Sequence, residues 1–228
     1  MIHNALIFGA LGSIGNHICN SFLKDNINII GTTTNIEKTT KDIIYVDNNN
    51  LENLKNIEEV NIIVWCHGYN FNDNINNFDY ENFNKMVCGN VSFILNTLNI
   101  LLKKNKILEG SKLVIISSIW EEFTRENKLS YSITKSALSG LVKNISYDLS
   151  SKNILINNIL PGVIDNEMSQ KTLTSDQFNY IKNYMNFNRL ISLDDIYKTV
   201  KFLVIENSGI TGQSIKVDLG FTNLRKYN

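Results

Sequence analysis

Ala5-Leu6-Ile7-Phe8-Gly9-Ala10-Leu11-Gly12-Ser13-Ile14-Gly15 begins as a short apolar run and passes into a glycine-rich turn. It then enters a segment that sets Ile14, Ile18, Phe22 and Leu23 on one helical face. A short apolar run bounded by glycine reads as a buried strand, and the 3.6-residue spacing after it reads as an amphipathic helix. Strand, glycine turn and helix together let a backbone turn sharply and come close to a pyrophosphate, with the helix N-terminus facing the anion. A plain strand-to-helix turn fits the same residues, so the rest of the chain has to decide.

A second segment carries chemistry. Lys112-Leu113-Val114-Ile115-Ile116-Ser117-Ser118 is an apolar run ending in hydroxyls, and thirteen positions after Ser118 comes Tyr131-Ser132-Ile133-Thr134-Lys135. Tyrosine and lysine at i and i+4 share a helical face. An ammonium beside a phenol favours the phenolate, which predicts a Tyr131 pKa below the reference of about 10. A phenol tuned in this way can give or take a proton near neutral pH. A hydroxyl at the end of a strand can bond a carbonyl oxygen, so Ser118, Tyr131 and Lys135 together point to carbonyl reduction or its reverse.

In order and spacing these segments resemble the short-chain dehydrogenase/reductase family, from residue 2 to about residue 222. The family's glycine motif is Thr-Gly-x-x-x-Gly-x-Gly and its active-site motif is Asn-Ser-Tyr-x-x-x-Lys. The resemblance implies one Rossmann-type domain over 1–228, an α/β fold whose doubly wound parallel sheet has seven strands. It implies Tyr131 as acid/base, Lys135 lowering its pKa and bonding the nicotinamide ribose, Ser118 polarising the carbonyl, and Asn90 anchoring a proton relay. Cofactor contacts are implied at Gly9, Leu11, Gly12, Ser13, Ile14, Gly15, Thr34, Asp47, Gly68, Asn90, Tyr131, Lys135, Pro161, Gly162 and Ile164. Asn90 falls within Phe83 to Leu102, which has the length of a buried helix, and Asp47 matches an acid that bonds the adenine amine. Pro161 is the sole proline and marks a rigid exit from the strand before it. A homo-oligomer, tetramer or dimer, is implied by helices at Phe83 to Leu102 and Ser132 to Leu149 that pack across a two-fold axis.

The cofactor reading turns on the end of the second strand, Ile27-Asn28-Ile29-Ile30-Gly31-Thr32-Thr33-Thr34-Asn35. An acid there bonds a ribose 2′-hydroxyl, and none occurs before Glu37. Threonine hydroxyls with Lys38 nearby favour NADP(H), with NAD(H) as the alternative. The chain also departs from the family pattern. Phe8 stands for the motif's threonine and Ser13 for its middle glycine, where Ser13 could cap the helix and bond a phosphate. Trp65-Cys66-His67 stands for Asn-Asn-Ala ahead of Gly68, Asn166 for a threonine, and Asp218-Leu219-Gly220 for an Asp/Asn-Gly-Gly end.

Composition bounds the rest. The 228 residues carry 22 basic and 22 acidic side chains, with no basic run that implies nucleic acid or an anionic membrane. No apolar stretch reads as a membrane span and no signal peptide precedes the first strand. Cys19, Cys66 and Cys88 sit in apolar settings and read as reduced buried thiols of a cytoplasmic protein, not as disulfides or metal ligands. Cysteine and histidine (His3, His17, His67) show no metal-ligand spacing, so no metal is expected, and His67 reads as structural although it lies near the cofactor by register. Tyr69 to Asn84 is rich in asparagine but interleaved with aromatics, and reads as an ordered surface loop and helix entry. Arg189 reads as structural. Trp120, Glu121, Glu122, Phe123, Arg125 and the segment from Asn166 to Asn188 are the expected walls of a pocket for a small-molecule carbonyl or alcohol. Two substrate classes lead, a 3-oxoacyl thioester and a sugar or sugar-nucleotide ketone of surface-glycan synthesis. The alternative is a cofactor-binding sensor or scaffold without catalysis, against which the intact set of Asn90, Ser118, Tyr131 and Lys135 speaks.

Overall fold

The computed structural model describes residues 3–47, 49–164 and 189–223, with scattered positions between 174 and 187. Seven parallel strands form one sheet: β1 (Asn4–Phe8), β2 (Asn28–Thr33), β3 (Ile43–Tyr45), β4 (Val60–Trp65), β5 (Ile107–Ile116), β6 (Leu155–Pro161) and β7 (Ser214–Val217). Their order across the sheet is β3-β2-β1-β4-β5-β6-β7. The order reverses between β1 and β4, and in such sheets ligands bind in the crevice beyond the carboxyl ends at that point. The doubly wound parallel sheet expected from the sequence is therefore present.

Strands covered on both faces read as continuous apolar runs, and here Ala5 to Phe8 and Ile63 to Trp65 are fully buried. One face is closed by α1 (Ser13–Lys24) and α5 (Leu193–Lys201). The other is closed by α2 (Tyr80–Val87), α3 (Phe93–Lys103) and α4 (Leu129–Asp148). Each helix turns an apolar stripe inward, for example Ile18 and Phe22 of α1 and Leu138, Leu141, Val142 and Ile145 of α4.

Helices α2 and α3 run as one element, Tyr80–Lys103, joined by a π-helical turn at Cys88–Ser92. The asparagine-rich stretch before it is ordered as expected. Asn74 caps a 3-10 turn at Ile75–Asn77, and Asp79 caps α2 by accepting from Asn82 N at 2.7 Å. Two expectations fail. Of the three cysteines only Cys19 is buried; Cys66 is partly buried and Cys88, at the start of the π turn, is exposed. Tyr80–Lys103 is long and apolar enough, by composition, to cross a membrane. The apolarity of α3 is that of a core helix, because Phe93, Ile94, Leu98 and Leu101 are buried in the protein core.

Asparagine also closes turns. Asn26, Asn105, Asn127 and Asn153 all have positive φ, between 53° and 57°. The left-handed region is costly for most side chains, and asparagine is among the few that enter it readily.

Candidate active site

Gly9 leaves β1 with φ +76°, and a Cβ there would stand 2.9 Å from the His67 backbone nitrogen. Gly15 is more constrained, because its Cβ would fall 2.2 Å from the Gly9 carbonyl oxygen. The turn therefore brings α1 and β4 against the end of β1 at backbone contact distance. Gly12 N donates to Gly9 O at 3.1 Å and closes the turn. The helix N-cap is Gly12, with no side-chain cap. Ser13 is the first helical residue and is exposed, so it does not cap α1 as the sequence suggested. Leu11 in the turn is exposed, and Gly15 in the first turn of α1 is buried. The amides at the α1 N-terminus thus lie open, with no acid in the first turn, a setting that favours an anion.

A cleft beyond the strand ends brings together Ile14, Gly68, Ser118, Tyr131, Lys135, Pro161, Gly162 and Ile164 from the expected set. Ser118 caps the 3-10 turn after β5, its Oγ accepting from Trp120 N at 3.3 Å. Tyr131 and Lys135 lie one turn apart on α4 and both are buried. The Lys135 ammonium stands 5.7 Å from the Tyr131 ring centroid and donates to Ile116 O at 3.2 Å.

Electrostatics here run against one sequence expectation. Burial pushes the Tyr131 phenol up to about 12, with its hydrogen bond to Ser118 pulling the other way. Burial also pushes Lys135 down to about 8, with the Glu121 carboxylate acting in the opposite direction. Desolvation disfavours both charged forms, so proximity alone does not lower the phenol.

Asn90 lies in the π turn behind the cleft and is 1% exposed. Its Oδ1 accepts from Tyr69 N at 2.7 Å, and its Nδ2 donates to Tyr69 O and Thr134 Oγ1, each at 3.0 Å. A π turn breaks the α-helical ladder, and such turns recur at functional sites. Asn90 thus ties the loop after β4 to the helix that carries Tyr131 and Lys135. A Cβ on Gly68 would stand 3.4 Å from Asn90 Oδ1 and 3.7 Å from Lys135 Nζ. Gly68 therefore lies in the cleft lining beside both side chains.

Other expected residues lie away from this cleft. Thr34 is exposed just past β2. Asp47 accepts from Asn49 N and Asn50 N, both at 2.8 Å, and from the Tyr45 hydroxyl, so its carboxylate orders its own turn. Asn166 and most of the segment to Asn188 lie outside the described residues. Arg189 pairs with Asp195 at 2.8 Å and is structural, as expected. His67 lines the cleft, with its ring 4.6 Å from that of Phe93. Burial, then the Lys135 charge, hold the imidazole down at about 3, so it is neutral.

The acids beside Ser118 do not wall the pocket as the sequence suggested. Glu121 turns inward, accepting from Ser117 Oγ at 2.6 Å, Asn158 Nδ2 at 3.1 Å and the Ser214 hydroxyl. Glu122 pairs with Lys216 at 2.6 Å. Trp120 and Arg125 do line the cleft, with the guanidinium 5.7 Å from the indole centroid. Sequence reading missed Lys128, which also lines it. The available signal was its place three residues before Tyr131, at the N-cap of α4.

The residues fit a nicotinamide dinucleotide: a glycine turn, open helix amides, a bare Gly68 and a lysine beside a tyrosine. The comparisons with known proteins agree. A family model described as enoyl-(acyl carrier protein) reductase matches residues 9–222. The chain belongs to the short-chain dehydrogenase/reductase family, whose members are NAD(P)-dependent oxidoreductases. It is 29% identical to the 3-oxoacyl-[acyl-carrier-protein] reductase FabG of Rickettsia felis, over 95% of each chain. It is 23% identical to FabG of Buchnera aphidicola, over 95% of this chain and 96% of that one. Its fold superposes on a gluconate 5-dehydrogenase of Burkholderia cenocepacia with a TM-score of 0.88 at 18% identity, covering 98% and 96% of the two chains. ElxO with NADP bound gives a TM-score of 0.82 at 24% identity, covering 98% and 100%.

Glu121 generates a prediction. Glu121→Leu removes the acceptor shared by Ser117, Asn158 and Ser214, leaving buried donors unmatched. Stability should fall by about 2–4 kcal/mol, read by denaturant unfolding, and Glu121→Gln should cost less. An unchanged unfolding midpoint in the leucine variant would refute the network's role.

Proposed function

We propose that this chain interconverts a carbonyl and an alcohol using NADP(H). The convergence of Ser118, Tyr131 and Lys135 on one cleft, beside the open amides of α1, carries this reading. The nicotinamide supplies or accepts the hydride when bound, and the protein orients the reactants. In the reductive direction the Tyr131 hydroxyl donates a proton to the developing alkoxide. Ser118 donates a hydrogen bond to the same oxygen, an interaction that strengthens as charge develops there. Lys135, protonated at neutral pH, offsets the phenolate that Tyr131 becomes. Asn90 holds the loop and the helix in register and anchors the return path of the proton.

FabG relatives reduce a 3-oxoacyl group by name, which supports an acyl thioester as one substrate class, with a sugar or sugar-nucleotide ketone as the other.

Preference for NADP(H) rests on the exposed Thr34 and Lys38 after β2, with Asn35 rather than an acid capping the next turn. NADPH should bind more tightly than NADH in a fluorescence titration; equal or tighter NADH binding would reject the preference.

Tyr131→Phe keeps the ring and loses the proton. Turnover should fall by roughly a hundredfold to ten-thousandfold, with NADPH affinity within a few-fold of wild type. Lys135→Ala should impair both. Single-turnover rates and cofactor titrations separate the two effects. Wild-type turnover by the phenylalanine variant would end this mechanism.

A homo-oligomer is also proposed, held through the outer faces of Tyr80–Lys103 and α4, where Leu95 and Ile133 are 46% and 48% exposed. Light scattering at micromolar concentration should report a dimer or tetramer, and a monomer would contradict it.

A further inference from the structure

We propose that Lys128 forms an oxyanion-binding site at the substrate end of the cleft, so that the substrate carries a carboxylate or phosphate close to the carbonyl that reacts. The inference rests on the ketoreductase reading and narrows its substrate.

Lys128 is only 1% exposed, yet it lines the cleft that holds Ser118 and Tyr131. Its ammonium stands 5.3 Å from the Tyr131 ring centroid. Two hydrogen bonds fix it, to Asn70 Oδ1 and Asn72 Oδ1, each at 2.8 Å. Both acceptors are neutral, and an ammonium has a third N–H to give. Among the described residues Lys128 forms no ion pair. Asp73, the neighbouring acid, is committed to capping α4, accepting from Ser130 N at 3.0 Å and from the Ser130 hydroxyl.

Burying an ammonium without a contacting counter-charge is unfavourable. The two amide oxygens hold the ammonium in place but leave its charge without a contacting carboxylate among the described residues, the Asp73 charge acting only through space. The charge is useful where an anion arrives, because a charge-assisted hydrogen bond strengthens in a site shielded from water.

The surroundings have the matching sign. Arg125 adds a second cation to the cleft wall. Lys135 adds a third. The acids that the sequence sets beside Ser118 are withdrawn, Glu121 into the core and Glu122 onto Lys216. Cations focused in a cleft draw anionic ligands.

Reach sets the position of the charge. A carbonyl held by Ser118 and Tyr131 lies near that ring, so an oxyanion on Lys128 belongs within a few bonds of the reacting carbon. A 3-oxoacyl thioester carries no charge so close to its ketone. An oxo acid, an acidic sugar or a ketose phosphate does. Of the two substrate classes, the geometry favours the acidic or phosphorylated carbohydrate.

The test uses NADP(H)-loaded protein and two pairs of ketones, an oxo acid against its methyl ester and a ketose phosphate against the free ketose. Wild type should prefer the charged member of at least one pair, and which pair responds tells carboxylate from phosphate. Lys128→Met should lower that preference roughly 10- to 100-fold, and Lys128→Arg should restore much of it. A brace alone would give equal losses on charged and neutral ketones, and that result overturns the proposal, as does a wild-type preference for neutral ketones. Calorimetric titration with malonate, inorganic phosphate and neutral malonamide removes the need for turnover. Binding of an anion that the methionine variant loses, at an unchanged melting temperature, supports the site; binding of neither anion to wild type overturns it. Lys128-dependent anion binding in a protein that turns over no ketone would keep the site and reject the ketoreductase reading.

Discussion

The site exists because Gly15 has no side chain. The Gly9 carbonyl occupies the space a Cβ would take, at 2.2 Å, and Gly9 itself touches the His67 backbone. Three backbones therefore meet at the switch point of the sheet: the end of β1, the start of α1 and the end of β4. A side chain at residue 15 would push α1 and its amides away from the end of β1, and one at residue 9 would collide with the His67 backbone. The positions of Ser118, in the turn after β5, and of Tyr131, on α4, are useful only while that junction holds. Backbone contact also explains why the turn is legible from sequence: glycine is the one residue that allows it.

Charge inside the cleft is arranged by burial more than by pairing. Lys135 and Tyr131 are each shifted toward their neutral forms, while Glu121 keeps a carboxylate within electrostatic reach of Lys135 without touching it. The carboxylate is held by three neutral donors contributed by Ser117, Asn158 and Ser214, so it also joins the turn after β5 to β6 and β7. One side chain thus both acts on the Lys135 charge and ties the turn after β5 to two further strands.

Much of this was open to sequence reading. The strands announce themselves as apolar runs, because both faces of a parallel sheet are covered, and the cleft residues follow from glycine, proline and the Tyr-x-x-x-Lys spacing. What stayed hidden depends on side-chain direction. Periodicity cannot say that Glu121 points inward, that Asp47 spends its oxygens on its own turn, or that Lys128 is buried. Nor does a run of apolar residues disclose the π turn at Asn90. Departures from the family pattern were visible only singly. In the fold, Phe8 and Trp65 are partners across β1 and β4, their rings stacked at 5.6 Å, with the indole N–H bonded to Thr97 at 3.0 Å. Two positions where the family's motifs carry polar residues here hold a stacked aromatic pair.

The left-handed asparagines have a consequence for how such a chain can drift. A chain this rich in asparagine must place the residue somewhere, and apolar interior sites reject it unless its amide is bonded. Turns with positive φ accept it at little cost where other proteins use glycine, and they gain a side-chain amide in return. Asn127 turns the chain directly ahead of Lys128, and its own amide oxygen accepts from Asn74 at 2.8 Å. Compositional bias has here been converted into connectors, and at one of them the connector aims a charge at the cleft.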